Sequence, residues 1–345
     1  MSVLEVSGLR VEFATHGGVV KAVRGVSFAV APGRVLAIVG ESGCGKSVTV
    51  QAVMGLIPTP PGRITGGSVR FQGRELVGAA ESEANRIRGG EIGMIFQDPM
   101  TSLNPTMKVG RQITETLRFH EGLSGAAARR KAIELLKRVR IPGADTRVDH
   151  YPFQFSGGMR QRAMIAMAIA CGPKVLIADE PTTALDVTVQ AQILNLLKDL
   201  QRDQGMSIIL ITHDLGVVAQ MADDVAVMYA GMVVEQGTVD DVFYRPAHPY
   251  TLGLQQAMPH REAARDRARL EPIEGSPPDL FSPPPGCPYV DRCPWAMEVC
   301  GPNEPPLWAV APGHGARCWL HHVYAVGRRP ERLFHGALMP DRRAL

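Results

Sequence analysis

The chain has no apolar run long enough to cross a bilayer. Its longest, Met164 to Ala178, is interrupted by Gly172-Pro173-Lys174 and falls short of the roughly 20 residues a spanning helix needs. Any membrane role is therefore expected to come through partner subunits. A charge excess is also missing. The 37 Lys and Arg against 34 Asp and Glu leave a net charge of only +3, so bulk charge gives no footprint for nucleic acid. Met1-Ser2-Val3-Leu4-Glu5 lacks the basic-then-apolar pattern of a cleaved leader. The cysteines lack the C-x2-C pairing of zinc ribbons, and no repeat of solenoid period is present. What remains, at 345 residues and 45% hydrophobic content, is the composition of a globular chain of two or three domains.

What is present begins with Gly40-Glu41-Ser42-Gly43-Cys44-Gly45-Lys46-Ser47, a G-x-x-x-x-G-K-S run after the β-branched stretch Val35 to Val39. A strand entering a glycine-rich turn that opens a helix puts backbone N–H groups and a helix N-terminus around an anion. Ser42, Gly43, Cys44, Gly45, Lys46, Ser47 and Val48 are the expected cradle. Lys46 should reach the terminal phosphates and Ser47 should ligate Mg²⁺.

Downstream, strands alternate with helices: Lys174 to Ala178, Val187 to Gln204, Ser207 to Ile211, Val225 to Met228. This alternation predicts an α/β fold with a mostly parallel sheet. It is preceded by an N-terminal β region and interrupted by a helical insert over about 108–171. Residues 1–260 are expected to form the ATPase domain and 261–286 a stiff proline-rich linker. A small cysteine-rich module over 287–345 completes the expected fold class.

Three strand tips carry chemistry. Lys174-Val-Leu-Ile-Ala ends in Asp179 and Glu180: the first suits Mg²⁺ held through water, the second the polarisation of an attacking water. Ser207 to Thr212 ends in His213, placed to bond a γ-phosphate. Met94-Ile-Phe96 ends in Gln97, whose amide oxygen can reach Mg²⁺. Separately, Ser156-Gly157-Gly158 opens an apolar helix and makes a second anion site. One chain with two such sites suggests that the second serves ATP on a partner chain, with Thr182 to Asp186 at the seam.

In this order the motifs resemble those of the nucleotide-binding subunits of ABC transporters, which share a P-loop NTPase cassette, over nearly all of residues 1–260. The resemblance makes 40–47 the Walker A loop and Gln97 the Q-loop. It makes Ser156 to Met159 the signature, Val175 to Glu180 Walker B, Thr183 to Asp186 the D-loop and His213 the H-switch. The signature reads Phe155-Ser-Gly-Gly-Met159 rather than Leu-Ser-Gly-Gly-Gln; the Ser and both glycines remain, so the anion site should survive. Phe13 is the candidate for stacking on adenine. The stretches Gln97 to Pro105 and Arg245-Pro-Ala-His-Pro-Tyr-Thr251 resemble the oligopeptide/dipeptide importers. That resemblance implies a second homologous ATPase subunit, two transmembrane permease subunits, an extracytoplasmic peptide-binding protein and a place at the cytoplasmic face of the membrane. The same machinery importing nickel or glutathione is one alternative. A soluble ABC ATPase outside transport is another, against which stand the single cassette and the C-terminal tail.

Cys287, Cys293, Cys300 and Cys318 are spaced C-x5-C-x6-C-x17-C. Four thiolates over a short stretch suit a [4Fe–4S] cluster or Zn²⁺, and packing cysteines are the plain alternative. The resemblance to peptide-importer ATPases favours the cluster. Cys44 and Cys171 are expected to be reduced packing residues.

Overall fold

The computed structural model describes residues 2–183, 185–257, 272–328 and 330–334. Two antiparallel strands come first, β1 (Leu4–Thr15) and β2 (Gly18–Val30). The fully buried β3 (Val35–Val39) leads into α1 (Lys46–Val53). Then come β4 (Gly62–Phe71), β5 (Arg74–Glu75), α2 (Glu81–Ile87) and β6 (Ile92–Ile95). A helical stretch follows: α3 (Pro99–Ser102), α4 (Val109–Glu121), α5 (Gly125–Arg138), α6 (Ala144–Arg147) and α7 (Gly157–Ala168). The α/β pattern resumes with β7 (Val175–Asp179), α8 (Val187–Gln204), β8 (Ser207–Thr212), α9 (Leu215–Met221) and β9 (Asp224–Tyr229). β10 (Met232–Thr238), α10 (Val239–Tyr244), α11 (Pro249–Gln256), β11 (Trp308–Ala311) and β12 (His314–Ala316) close the chain.

The strands form two sheets, β2-β1-β4-β5 and β11-β12-β10-β9-β3-β8-β7-β6. In the larger, β9, β3, β8, β7 and β6 run parallel. They read as continuous apolar runs because both faces are covered. One face packs on the β1–β2–β4 sheet and α1 through Val6, Val11, Phe71, Ile38, Val50 and Ile177. The other packs on the helical stretch through Leu117, Leu136, Ile165, Leu176 and Leu210. The parallel order sends the tips of β3, β6, β7 and β8 to one edge, where a doubly wound sheet binds its ligand.

The tail differs from the expected separate module. β12 pairs antiparallel with β10, and β11 with β12, so the extension adds strands to the main sheet. Cys287, Tyr289 and Cys300 share an apolar cluster with Ala37, Val39, Tyr229 and Tyr250. A short segment with little apolar area of its own gains stability by joining an existing core. Residues 272–286 also lie on the body: Lys21 N donates to Leu280 O at 2.9 Å, and Phe281 covers Gly17 and Gly18. Residues 258–271 and 335–345, which include the first part of the expected linker and the end of the expected extension, lie outside the described residues.

Candidate active site

The turn after β3 needs glycine at two places. At Gly40 (φ 153°) a Cβ would stand 2.1 Å from the Met228 carbonyl oxygen, and at Gly45 (φ 97°) 2.4 Å from that of Ala22. Any side chain would push the loop off β2 and β9. Cys44 packs into the core side of the loop, and burial raises its thiol pKa. It is a packing residue, as expected for its position. Lys46 is only 5% exposed. Its Nζ donates to the carbonyls of Gly40 at 2.8 Å and Glu41 at 2.9 Å, which hold the ammonium over the loop. Hydrogen bonds from an ammonium to carbonyls are charge-assisted and fix its position.

Ser47 Oγ, on the first turn of α1, donates to Asp179 Oδ1 at 3.1 Å. Burial at the tip of β7 raises the Asp179 pKa, with Glu180 adding to it and Ser47 and Lys46 opposing it. A cation in this corner would reverse that cost. The oxygens of Ser47 and Asp179 are the donor type Mg²⁺ takes.

Glu180 follows in a left-handed conformation, φ 46°, which costs a non-glycine residue free energy and turns the carboxylate off the strand. Three side chains from three elements meet it. Gln97 Nε2 donates to Oε2 at 2.9 Å, Thr183 Oγ1 to the same oxygen at 3.0 Å, and His213 Nδ1 stands 3.5 Å from Oε1. Four expected residues, Gln97, Asp179, Glu180 and His213, thus converge beside the loop. Thr183 was expected only at a dimer seam; its hydrogen bond to Glu180 is an additional role that its spacing did not reveal.

Ser156 lies apart from this convergence. It caps α7 by accepting from Met159 N at 3.3 Å, and a Cβ at Gly158 would stand 2.8 Å from Val189. Ser156 and Gly157 are exposed at that helix start. Phe13, on β1, pairs with Val20 and Gly62 and is half-buried in the β1–β2–β4 sheet. Ala184, within the expected seam, is outside the described residues.

The four C-terminal cysteines do come together. All line one cavity of ≈ 10 Å³, walled by Trp295, Trp319 and Leu320. Among the described residues no group of three or more His, Cys, Asp or Glu is set to hold a metal ion. The thiols are free. Burial pushes Cys287 to about 12 and Cys293 to about 11, and raises Cys318 as well. Such thiols stay protonated, and a cation is what would convert them to ligands. A cavity of this volume admits about one water-sized sphere. That is less room than a four-iron cluster occupies.

A glycine-rich loop over a buried lysine, a Ser47–Asp179 oxygen pair and an oriented carboxylate are the parts of a P-loop ATPase. Residues 23–183 match the ABC transporter family, and residues 234–300 match the oligopeptide/dipeptide transporter C-terminal region. The chain is 58% identical over 327 residues, 95% of its length and 91% of the relative's, to the oligopeptide transport ATP-binding protein OppD of Bacillus subtilis. It is 55% identical over 318 residues, 92% of its length and 94% of the relative's, to the dipeptide transport ATP-binding protein DppD of the same organism. Among solved structures, the dimeric ATP-binding cassette MJ0796 bound to ADP and Pi superposes with a TM-score of 0.62 at 27% identity, covering 68% of this chain and 98% of that one. The chain belongs to the ATP-binding proteins of ABC transporters, in the branch that carries the oligopeptide/dipeptide C-terminal region. Among the described residues no helix is long and apolar enough to cross a membrane.

Proposed function

We propose that this chain is the ATP-hydrolysing subunit of an importer of dipeptides or oligopeptides. One observation carries the reading: a single chain joins a converged ATP site to a C-terminal region matched over 234–300 to oligopeptide/dipeptide transporters. Residues 42–48 hold the phosphates, with Lys46 on the β- and γ-phosphates and Phe13 against adenine. Ser47 and Gln97, with Asp179 through water, would hold Mg²⁺, which when bound would screen the phosphate charge. Glu180 accepts a proton from the attacking water, and His213 and Gln97 hold it in line. Ser156, Gly157 and Gly158 complete the site on a second, homologous ATPase subunit, so ATP closes the pair. Closure moves two permease subunits fed by a peptide-binding protein outside the membrane, and places this chain at the cytoplasmic face.

In this reading 1–260 is the ATPase body, 108–171 its helical subdomain, 261–286 a strap across the body and 287–345 the extension of peptide importers. Reconstitution with the permease subunits and binding protein tests it. ATP turnover should rise with peptides; stimulation by nickel or glutathione instead overturns the cargo. Failure to bind any permease returns the chain to the soluble ATPases.

We further propose that Cys287, Cys293, Cys300 and Cys318 hold a metal centre. The resemblance favours [4Fe–4S], and the common cavity supports a shared occupant. Iron, acid-labile sulfide and zinc content after anaerobic purification tests it. About four irons and four sulfides mark the cluster, one zinc marks a structural site, and no metal makes the four packing residues.

A further inference from the structure

The phosphate loop is gripped from the far end of the chain. Glu41, its second residue, is held at four atoms. Its N–H donates to Tyr250 Oη at 2.9 Å, and its carbonyl accepts from Lys46 at 2.9 Å. Its carboxylate takes both arms of Arg292, Nη1 to Oε2 at 2.6 Å and Nη2 to Oε1 at 3.0 Å. Arg292 is 4% exposed at the side chain, against 27% for Glu41. Its remaining donors are spent on fixing its own place: Nε on Glu274 O at 2.9 Å, Nη2 on Ile273 O at 3.2 Å, Nη1 on Tyr229 Oη at 3.3 Å. The guanidinium lies 5.8 Å from the Tyr229 ring centroid. A planar fork so held is pre-organised for one carboxylate.

We propose that Arg292 is a positioning residue for the ATP site: by fixing Glu41 it keeps the loop, and Lys46 on the Glu41 carbonyl, in the shape that receives the phosphates. The proposal rests on the reading of 40–47 as the ATP loop. An arginine that only anchored the C-terminal segment could use any acid of the body. This one is buried, bidentate and directed at a loop whose backbone shape is its function. Arg292 also immediately precedes Cys293, so the cysteine-lined cavity and the nucleotide site are joined by one side chain. The segment after residue 272 thereby becomes part of the nucleotide-affinity machinery.

The test uses the full-length chain, a fluorescent ATP analogue for Kd and steady-state turnover for KM and kcat. Arg292→Gln should raise Kd and KM on the order of five- to tenfold and move kcat less than about twofold. Glu41→Gln, made on the more exposed partner, should do the same without loss of the fold. The double variant should be no worse than either single one, since the two act as a unit. Arg292→Lys, which keeps charge but not the fork, should recover part of the affinity. A lowered melting temperature with Kd unchanged overturns the proposal, as do additive effects of the two substitutions. If Lys46→Ala also leaves Kd unchanged, the loop assignment itself fails, and the clamp with it.

Discussion

Three side chains carry separable jobs. Lys46 is held by two carbonyls of its own loop and the Cys44 thiol, with no carboxylate hydrogen-bonded to it, so its charge is available to phosphate. Lys46→Ala should weaken ATP binding at least tenfold, the scale of a lost charge-assisted bond of about 1.5–3 kcal/mol, measured by analogue titration. Glu180 is aimed by Gln97, Thr183 and His213. Glu180→Gln should cut turnover about 10²- to 10⁴-fold while leaving ATP bound, so that an ATP-loaded pair of cassettes accumulates on gel filtration; normal turnover would remove Glu180 from the chemistry. Asp179 has its pKa raised chiefly by burial. The native fold then holds its proton more tightly than the unfolded chain, so ionisation costs stability, a cost absent below the ordinary aspartate value and complete above the raised one. Asp179→Asn should therefore melt no lower than the parent at neutral pH, the difference closing in acid, while Mg²⁺-dependent turnover is lost. A clear drop in melting temperature would overturn this account. These residues were legible because each stands in a local pattern, a glycine-rich turn or a strand tip. The pair Glu41–Arg292 left no such mark, because its partners lie 251 positions apart.

At the scale of elements, caps and strand edges matter most. Ser156 caps α7 and is exposed. Ser156→Ala should cost about 1 kcal/mol of stability and abolish ATP-dependent association with the partner cassette, read by thermal melting and gel filtration together. The strand pair β10–β12 is fastened by His314 Nε2 at 2.8 Å from Glu235 Oε1, both side chains 0% exposed. Glu235 also accepts from the N–H groups of Ala247 and His248. His314→Ala should lower stability by about 2 kcal/mol, measured by denaturant unfolding, with little effect on ATP binding. β3, β7 and β8 were legible as buried apolar runs. β11 and β12 were not, being four and three residues long, too short to show a period of two. That is why the tail reads as a separate module in the sequence and folds as two more strands of the sheet.

At the scale of the molecule, the larger sheet is common property. The β1–β2–β4 sheet covers one face, the helical stretch the other, and the cysteine-bearing tail one end. The order of its strands has a consequence for how the chain is made. β3 emerges early from the ribosome, but its partners are β8 and β9: Val35 waits for Ile208, and Leu36 for both Ile209 and Asp224. At about 5–20 residues per second, that strand stays without its sheet partners for roughly ten to forty seconds, with both edges open. For about half of synthesis the nascent chain therefore carries an unpaired strand open to wrong pairing. Synthesis that halts before β8 leaves a fragment whose exposed strand can join another copy rather than a smaller working cassette.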